Sequence, residues 1–565
     1  MPDAAAALDG AGHILAERLS DNADARAMVR RLTKEHGVMT SRVAASYKEQ
    51  VTKFEMYYDY QEQLKAVPSH RMLAMRRGEK EEVLYLSICA PTEQILAGLK
   101  SRLILRESIF VMMLERVAED AYKRLIAPSI EVELRLESKE HADEAAILIF
   151  ARNLRELLLA PPAGGKRVLG IDPGFRTGSK LAAVDATGRF LEHVTIYPHL
   201  GEGRIPQAKL DLLRLIENHA IEMVAVGNGT AGREMEIFVK ENLMAAGKKL
   251  PVVSVSEAGA SVYSASDIAR EEFPELDLTV RGAISIARRL QDPLGELVKV
   301  DPKSIGVGQY QHDVNQGMLK KSLDAVVESC VNYVGVDLNT ASWALLAYIS
   351  GVGPALAKAI TKYRDENGSF NSRKALLKVP RFGAKVFEQA AGFLRIRDGK
   401  HALDNTAVHP ERYKLVEAMA DDLGVTISKL VADPVLVCSI DLKRYVTEGV
   451  GLPTLTDIIE ELKKPGRDPR SQFQTVSFRD DIKEINDLKE GMILQGIVTN
   501  VAAFGAFVDI GVHQDGLVHI SHLANRYVKD PNDAVKAGQV VKVKVLSIDA
   551  QRKRISLSIK EAESK

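Results

Sequence analysis

Residues 491–521 read GMILQGIVTNVAAFGAFVDIGVHQDGLVHIS, a run of short strand-like segments separated by glycines. Apolar and polar residues alternate within each segment, as expected for strands that bury one face. Two more runs of the same kind follow, QVVKVKVLSID (539–549) and RISLSIK (554–560). Five strands at this spacing predict a barrel of the oligonucleotide-binding (OB) type over residues 488–562.

Two phenylalanines frame the turn between the first two predicted strands. Phe504 and Phe507 bracket Gly505 and Ala506, and His519 lies in the third strand. Exposed aromatic rings stack on nucleobases, whereas the alternative is that both rings belong to the core and the histidine is structural. Rings and histidine can share one face of the barrel, but these residues alone leave both alternatives open.

The pattern GxVxxxxxFGAFVxxxxxxxGLVHIS resembles the S1 domain of ribosomal and exoribonuclease proteins over its full length. The resemblance implies that Phe504, Phe507 and His519 face single-stranded RNA or DNA. It implies the same for Asp549 and Arg554, and we add two cations of the fourth strand, Lys542 and Lys544.

A basic segment upstream contains two helix-turn-helix units, whose turns read SGVGP (350–354) and VPRFG (379–383). Between residues 341 and 400 there are 11 Lys and Arg against 4 Asp and Glu, so the segment is strongly cationic. Both turns are typical of helix-hairpin-helix elements, in which backbone amides at a helix start face a phosphate and read no base. The alternative is a structural hairpin with a solvated basic face. The predicted contacts are Gly351, Gly353, Lys358, Gly383 and Lys385.

The composition of the whole chain limits the other possibilities. With 565 residues the chain is long enough for about four domains, and its 76 basic and 76 acidic residues cancel. Any polyanion binding must therefore be local. Three widely spaced cysteines predict neither a disulfide framework nor a zinc site, and no cofactor is expected. The longest apolar run is far too short to span a membrane, so we expect a cytoplasmic protein.

The order of patterns along the chain predicts a multidomain protein. A mostly α-helical scaffold is followed by an α/β domain of the ribonuclease H type, the tandem hairpins and the C-terminal β-barrel. The predicted boundaries are 1–162 for the helical scaffold, 166–295 for the α/β domain, 296–340 for a helical connector, 341–402 for the hairpins, 403–486 for a further helical unit with its linker, and 488–562 for the barrel.

Taken together, these segments resemble the bacterial Tex proteins. The resemblance rests on GIDPGFRTGSKLAAVD (170–185), which is similar to YqgF and RuvC domains, on the two hairpins and on the S1 pattern. It implies a transcription-accessory protein that binds RNA, with RNA polymerase or ribosome-associated machinery as partner and no membrane. Members of the family usually have more helical sequence before the segment ALDGAGHILAERL (7–19), so this chain looks shortened at its start.

The RuvC-like segment raises the question of nuclease activity. RuvC-type nucleases hold two magnesium ions with about four carboxylates. Asp172 matches the first, Glu257 and Asp292 are candidates for later ones, and Gly227 and Asn228 stand where a glutamate is wanted. We therefore expect a scaffold without catalysis. The competing interpretations are a metal-dependent nuclease, and a chain in which only the S1 domain binds RNA while the hairpins and α/β domain contact proteins.

Overall fold

A computed structural model gives the fold of the chain, and its described residues form two compact units. The described residues are 3–199, 201–397, 399–447, 449–463, 466, 468–470, 485–502, 504–512, 514–528, 530–536, 539–549 and 554–563. Among them, no helix combines the length and apolar character that crossing a membrane requires.

The first unit comprises Met1–Phe150 together with Gln309–Leu319. Its first two helices begin where the side chains of Asp3 and Asn22 accept hydrogen bonds from backbone amides of the first turn, at 2.8 Å each. Its elements are α1 (Ala4–Asp21), α2 (Ala23–His36), β1 (Val38–Val43), β2 (Asp59–Gln63), α3 (Ser69–Lys80), β3 (Leu84–Cys89), α4 (Thr92–Leu103), α5 (Val111–Asp120), a π-helical segment (Ala121–Ile126) and α6 (Ala127–Leu158), which continues beyond this unit.

The helical prediction for residues 1–162 is incomplete, because a three-stranded antiparallel sheet of order β2-β1-β3 lies within it. Strand β3 alternates buried and exposed positions, as a half-buried strand should. Strand β2 reads DYQEQ and buries no residue fully. An edge strand of this composition has no apolar alternation that would reveal it in the sequence.

The second unit, Ala151–Gly308 with Lys320–Lys565, begins with a five-stranded sheet of order β6-β5-β4-β7-β8. Strands β4, β5 and β6 are antiparallel, whereas β4, β7 and β8 are parallel. This confirms the predicted α/β fold of the ribonuclease H type. Its elements are β4 (Val168–Asp172), β5 (Ser179–Val184), β6 (Phe190–Ile196), α7 (Ile205–Asn218), β7 (Met223–Gly227), α8 (Gly232–Ala245), β8 (Val252–Val255), α9 (Ala260–Ala265), α10 (Asp267–Glu272) and α11 (Leu278–Gln291).

Helix α11 lies directly on the central strand β4. A Cβ added at Gly170 would lie 2.1 Å from the carbonyl oxygen of Ala283 and 2.8 Å from the Cβ of Ala287. Only glycine permits this approach. Helices α7 and α8 cover the other face of the sheet through residues such as Leu212 and Met235, both fully buried.

The tandem hairpins follow a helical connector. Strands β9 and β10 pair in parallel and join the two ends of the segment that holds both turns. The elements of the connector and hairpins are α12 (Pro293–Leu297), α13 (Gln316–Val334), β9 (Val336–Asp337), α14 (Trp343–Leu346), α15 (Pro354–Asn367), a 3-10 helix (Arg373–Lys378), α16 (Ala384–Ala390) and β10 (Leu394–Arg395).

A further helical unit is tied to the hairpins by a buried arginine. The Arg373 guanidinium, with its side chain fully buried, donates to the carbonyl oxygens of Thr406 and Val408 and to the hydroxyl of Tyr413. Most of the predicted linker, including all of residues 471–484, lies outside the described residues. The helices of this unit are α17 (Tyr413–Asp422), α18 (Ile427–Ala432), α19 (Pro434–Cys438) and α20 (Leu452–Lys463).

The C-terminal strands form the predicted barrel, closed in the order β11-β12-β13-β15-β14. Neighbouring strands are antiparallel except β13 and β15, which run parallel. Alternate residues of every strand fill one hydrophobic core. The elements are β11 (Ile493–Ala502), β12 (Gly505–Asp509), β13 (Gly516–His519), β14 (Val540–Asp549), β15 (Arg554–Ser558) and α21 (Lys560–Glu563).

Replacing Gly170 by alanine is expected to destabilise the α/β domain by about 1–3 kcal/mol, because the new methyl group forces α11 away from β4. Hydrogen exchange of peptides from β4 and α11 measures this loss locally. Gly203→Ala is the matched control, since no atom lies within 4 Å of a Cβ added there. Equal protection of β4 in the two variants would show that the close approach is not needed.

Candidate nucleic-acid interface

Strand β12 directs its phenylalanine away from the barrel core. Ala506 and Val508 are 0% exposed, whereas Phe507 between them is only half-buried. The ring of Phe504, in the turn before the strand, lies 5.9 Å from the Phe507 ring, and the two planes meet at 88°. The two rings form one aromatic surface outside the core in an edge-to-face arrangement.

A glycine brings the predicted histidine next to these rings. Gly505 pairs with His519 across β12 and β13, and its φ of +151° favours glycine. A Cβ added at Gly505 would lie 2.1 Å from the carbonyl oxygen of the residue before His519. The amide of Ile520 donates to the carbonyl oxygen of Phe504 at 2.9 Å, which holds the turn against the end of β13. Phe504, Phe507 and the exposed His519 are called the barrel cluster below.

The charged residues predicted for this site lie further round the barrel. Asp549 and Arg554 pair with each other across β14 and β15. Leu517 pairs with Phe507 on one side and with Ser556 on the other. Arg554 stands two positions from Ser556, and both side chains are exposed. Arg554 therefore shares the outer surface with Phe507 but lies two strands away from it.

The two predicted lysines differ in their surroundings. Lys542 is exposed and pairs with Gln495 across β14 and β11. The Nζ of Lys544 lies 2.9 Å from a carboxylate oxygen of Glu561, which partly neutralises it. Of the two, Lys542 is the more exposed.

The loop after β13 contains an aromatic residue that the sequence patterns did not single out. Tyr527 is 92% exposed, although Leu523 and Val528 beside it are buried in the barrel core. These two anchors hold the tyrosine outward. The loop follows β13, which ends at His519. The only sequence signal was a tyrosine within the polar stretch ANRYVKD (524–530).

The two hairpin turns share one backbone conformation. Gly351 and Arg381 occupy equivalent positions, with φ of +80° and +69°. The residues that follow them, Val352 and Phe382, are 2% and 3% exposed and fill the interior of each hairpin. A residue with a side chain loses about 1–2 kcal/mol in this left-handed conformation, so Arg381 is strained where the first hairpin has glycine.

The glycines predicted to contact phosphate both precede a helix. Gly353 (φ −81°, ψ 173°) and Gly383 (φ −83°, ψ 173°) are the N-caps of α15 and α16, and neither cap has a side-chain hydrogen bond. No atom lies within 4 Å of a Cβ added at either glycine, so both positions face open space. Helix α15 has 14 residues but α16 only 7. A helix of two turns adds little dipole of its own.

The predicted lysines of the hairpins also differ. The Nζ of Lys358 in α15 lies 3.2 Å from a carboxylate oxygen of Glu271 and 4.3 Å from the ring centroid of Trp343. Lys385 in α16 is exposed and makes no ion pair or hydrogen bond with the residues that the structure describes. The lysine of the first hairpin is therefore engaged by other residues of the chain, whereas the lysine of the second is accessible.

Two of the three candidate carboxylates meet at the carboxyl edge of the sheet. Asp172 ends β4 and Glu257 follows β8. Burial raises the pKa of Asp172 to about 6, although the positive charge of Lys180 acts to lower it. Burial first, and then the charge of Asp172, raise the pKa of Glu257. A Cβ added at Gly282 on α11 would lie 2.5 Å from Asp172 Oδ2, so the facing helix supplies no carboxylate at that point.

The Glu257 carboxylate fills the space that a glutamate side chain at position 227 would need. A Cβ added at Gly227 would lie 2.0 Å from Glu257 Oε1, and one added at Gly229 would lie 2.0 Å from Oε2. The Gly229 amide donates to this carboxylate, and Asn228 Oδ1 accepts a hydrogen bond from the Glu257 amide at 3.0 Å. The glycine-rich turn thus encloses an internal carboxylate.

Asp292 does not join this pair. Its carboxylate caps α12 by accepting from the Leu294 amide at 3.1 Å, and it pairs with Arg470 at 2.6 Å. Asp292 follows Gly282 by ten positions, which places it about 15 Å further along α11. Within the described ranges, no group of three or more His, Cys, Asp or Glu is arranged to hold a metal ion.

Family models match five consecutive parts of the chain. In chain order they describe a Tex central region (1–150), a Tex YqgF-like domain (166–291), a helix-hairpin-helix motif (331–395), an HHH domain (401–470) and an S1 RNA-binding domain (487–560).

Comparisons along the whole chain agree with these models. The chain is 51% identical to the transcriptional accessory protein Tex of Neisseria gonorrhoeae over 99% of its own length and 74% of that protein. It is 49% identical to protein YhgF of Escherichia coli, with 99% of this chain and 73% of the relative covered. The human S1 RNA-binding domain-containing protein 1 is 34% identical over 97% of this chain and 63% of that protein. Since it matches the Tex central-region and YqgF-like models and a Tex relative along nearly its whole length, the chain belongs to the Tex family.

Proposed function

We propose that this protein is a nucleic-acid-binding scaffold that holds single-stranded RNA, and also single-stranded DNA, without cleaving it. The barrel cluster is the observation that carries the proposal. Phe504 and Phe507 are not needed to fill the core, since Ala506 and Val508 do so on the same strand. Rings displayed on the outer face of an OB barrel are suited to stacking on successive bases.

The charges further round the barrel favour a weakly selective contact. Lys542 and Arg554 are both exposed on the outside of the barrel and supply cations for the phosphates of a bound strand. Every base has a face on which an aromatic ring can stack, so stacking selects little sequence. Binding is therefore expected to weaken with added salt and to depend little on base order.

The second candidate function is a metal-dependent nuclease in the α/β domain, favoured only by the approach of Asp172 to Glu257. Magnesium keeps most of its waters unless several oxygens replace them in near-octahedral geometry. Two positions beside this pair, where further carboxylates could bind the metal, hold Gly282 and Gly227. The third candidate, Asp292, caps another helix. Two buried carboxylates of raised pKa bind a divalent ion weakly, so we assign the domain an architectural role.

The name of the gonococcal relative describes a transcriptional accessory protein. We propose the same setting for this chain, in the cytoplasm, with RNA polymerase or ribosome-associated machinery as its protein partner. Pull-down of this chain from lysate treated with ribonuclease tests the partner. Recovery of neither polymerase nor ribosomal proteins would remove this part of the proposal and leave nucleic-acid binding unaffected.

Phe507→Ala is expected to lose about 1–3 kcal/mol of binding free energy for single-stranded RNA, because one stacking platform is removed. Fluorescence anisotropy with a labelled RNA of mixed sequence measures the change. Val508→Ala is the matched control, since it removes a side chain of the same strand that faces the core. It should lower the stability of the barrel by about 2 kcal/mol and leave the affinity of the folded protein unchanged.

The opposite pattern would contradict the assignment. If Phe507→Ala lowered the melting temperature as much as Val508→Ala and bound RNA like the unaltered protein, the ring would belong to the core.

Tyr527→Ala is expected to weaken binding of single-stranded RNA without changing the melting temperature, because the ring is exposed and packs on nothing in the core. The loss should be smaller than for Phe507→Ala, since a lone ring lacks the second aromatic partner. Unchanged affinity would place Tyr527 outside the path of the strand.

Asp172→Asn is expected to leave RNA binding unchanged and to stabilise the α/β domain above about pH 6. The folded-state pKa is raised from 3.8 to about 6, so the ionised carboxylate destabilises the fold at neutral pH and this penalty disappears as the pH falls towards 4. The gain should be about 1–3 kcal/mol at pH 8 and near zero at pH 4.

Urea unfolding at the two pH values measures this difference. Four-way junctions and single strands incubated with the purified protein in magnesium or manganese test catalysis. Cleavage that Asp172→Asn abolishes would establish the nuclease and refute the scaffold.

A further inference from the structure

The second hairpin departs from the first at one position. The two turns match in their positive-φ residue, in the buried residue after it and in the N-cap glycine. Where the first hairpin has Gly351, the second has Arg381. Glycine is the residue that adopts this conformation without strain, so the arginine is kept at some expense of folding stability.

The Arg381 side chain does not hold the described fold together. It is exposed, and it makes no hydrogen bond or ion pair with the described residues. The buried residue of this turn is Phe382, at 3% exposure. The hairpin interior is therefore complete without the guanidinium, and the strain at Arg381 has no compensating contact among those residues.

Exposed lysines precede and follow Arg381 along the second hairpin, and together with Arg381 we call them the second-hairpin patch. Within the described part of the chain, no acidic side chain forms an ion pair with any of them. The patch consists of Lys374, Lys378, Arg381 and Lys385, all exposed.

The first hairpin lacks such a surface. Lys358 is held by Glu271 of α10 and lies over the Trp343 ring. Lys362, on the same helix, lies 3.8 Å from Glu366. Its turn is also partly covered, since a Cβ at Gly351 would lie 2.8 Å from the side-chain oxygen of Gln389. The two hairpins therefore have the same backbone, but Lys358 and Lys362 of the first are in ion pairs, whereas the exposed cations of the second have no acidic partner among the described residues.

We propose that the second hairpin, and not the first, contacts the sugar-phosphate backbone of a nucleic-acid duplex, with Arg381 as the residue that binds the phosphate. This inference rests on the proposed nucleic-acid-binding function. The planar guanidinium presents two parallel N–H donors to phosphate oxygens, and the left-handed backbone places it at the tip of the turn. Its neighbouring lysines add the longer-range attraction of a polyanion.

The chemistry of the patch favours paired strands over single ones. Its aromatic residue, Phe382, is buried and offers no face to an unpaired base. Contacts that reach only the backbone remain available when the bases are paired. The barrel cluster, which stacks on exposed bases, is the complementary surface for single strands.

The decisive variant is Arg381→Gly, because it installs the residue that the first hairpin already uses in this conformation. It removes the guanidinium and relieves the strain, so the melting temperature should be equal or slightly higher. Affinity for a short DNA duplex of mixed sequence should fall about five- to tenfold, and the slope of log affinity against log salt should become shallower by about one. A duplex RNA of the same sequence distinguishes a preference for either helix.

Two further variants complete the test. Lys358→Gln removes one charge from the first hairpin and should change duplex affinity less than twofold. Arg381→Lys keeps the charge and should retain more affinity than Arg381→Gly. Binding of single-stranded RNA should be unchanged in all three variants.

The proposal is overturned if Arg381→Gly binds the duplex like the unaltered protein, or if Lys358→Gln weakens binding as much as Arg381→Gly does. Neither result would change the expected single-strand binding of the unaltered protein or the weaker binding of Phe507→Ala. The proposed function would therefore stand. Failure of the proposed function would instead appear as no single-strand binding in the unaltered protein.

Discussion

Helix α11 rests on strand β4 with no side chain between them at Gly170, and the arrangement of the α/β domain depends on that contact. The side-chain Nε2 of Gln291, at the far end of α11, donates to the carbonyl oxygens of Lys166 and Asp185 at 2.7 Å each. These bonds fix the helix to the start of β4 and the end of β5. A buried backbone carbonyl needs a hydrogen-bond partner, so breaking either of these bonds costs folding free energy.

The same helix also holds the backbone on both sides of Glu257 at the carboxyl edge of the sheet. Arg289 is 4% exposed and donates to the carbonyl oxygens of Ser256 and Ala258, the two neighbours of Glu257. The Glu257 backbone is thereby held where its side chain reaches the glycine-rich turn. Through Arg289, α11 thus holds Glu257 at the edge of the sheet where it interacts electrostatically with Asp172.

The outer surfaces were more accessible to sequence reasoning than this edge. The barrel and its cluster follow from strand alternation, since a shift of one residue would exchange Phe507 with the core residue Val508. The positions of Asp549 and Arg554 relative to the cluster depend on strand order and register, which residue types alone do not reveal. Asp292 was a candidate because spacing along the chain does not show that α11 carries it to the far end of the domain.

Local backbone conformation was the other property that the amino-acid sequence did not reveal. A left-handed arginine looks in the sequence like any exposed arginine, and only its φ in the structure shows that Arg381 adopts the conformation for which the first turn has glycine. Strand β2 was missed for a related reason, because its pairing with β1 and not its composition makes it a strand. Both are cases in which tertiary context overrides local propensity.

The enclosure of Glu257 by Gly227 and Gly229 also affects how this domain can vary among related proteins. A side chain at position 227 and the carboxylate at position 257 would occupy the same space, since a Cβ at Gly227 would lie only 2.0 Å from Glu257 Oε1. The effect of a substitution at one position therefore depends on the residue at the other, which is the physical basis of epistasis between contacting sites. In an alignment of homologues, a residue larger than glycine at 227 should accompany a shorter or redirected side chain at 257, so the two positions should covary.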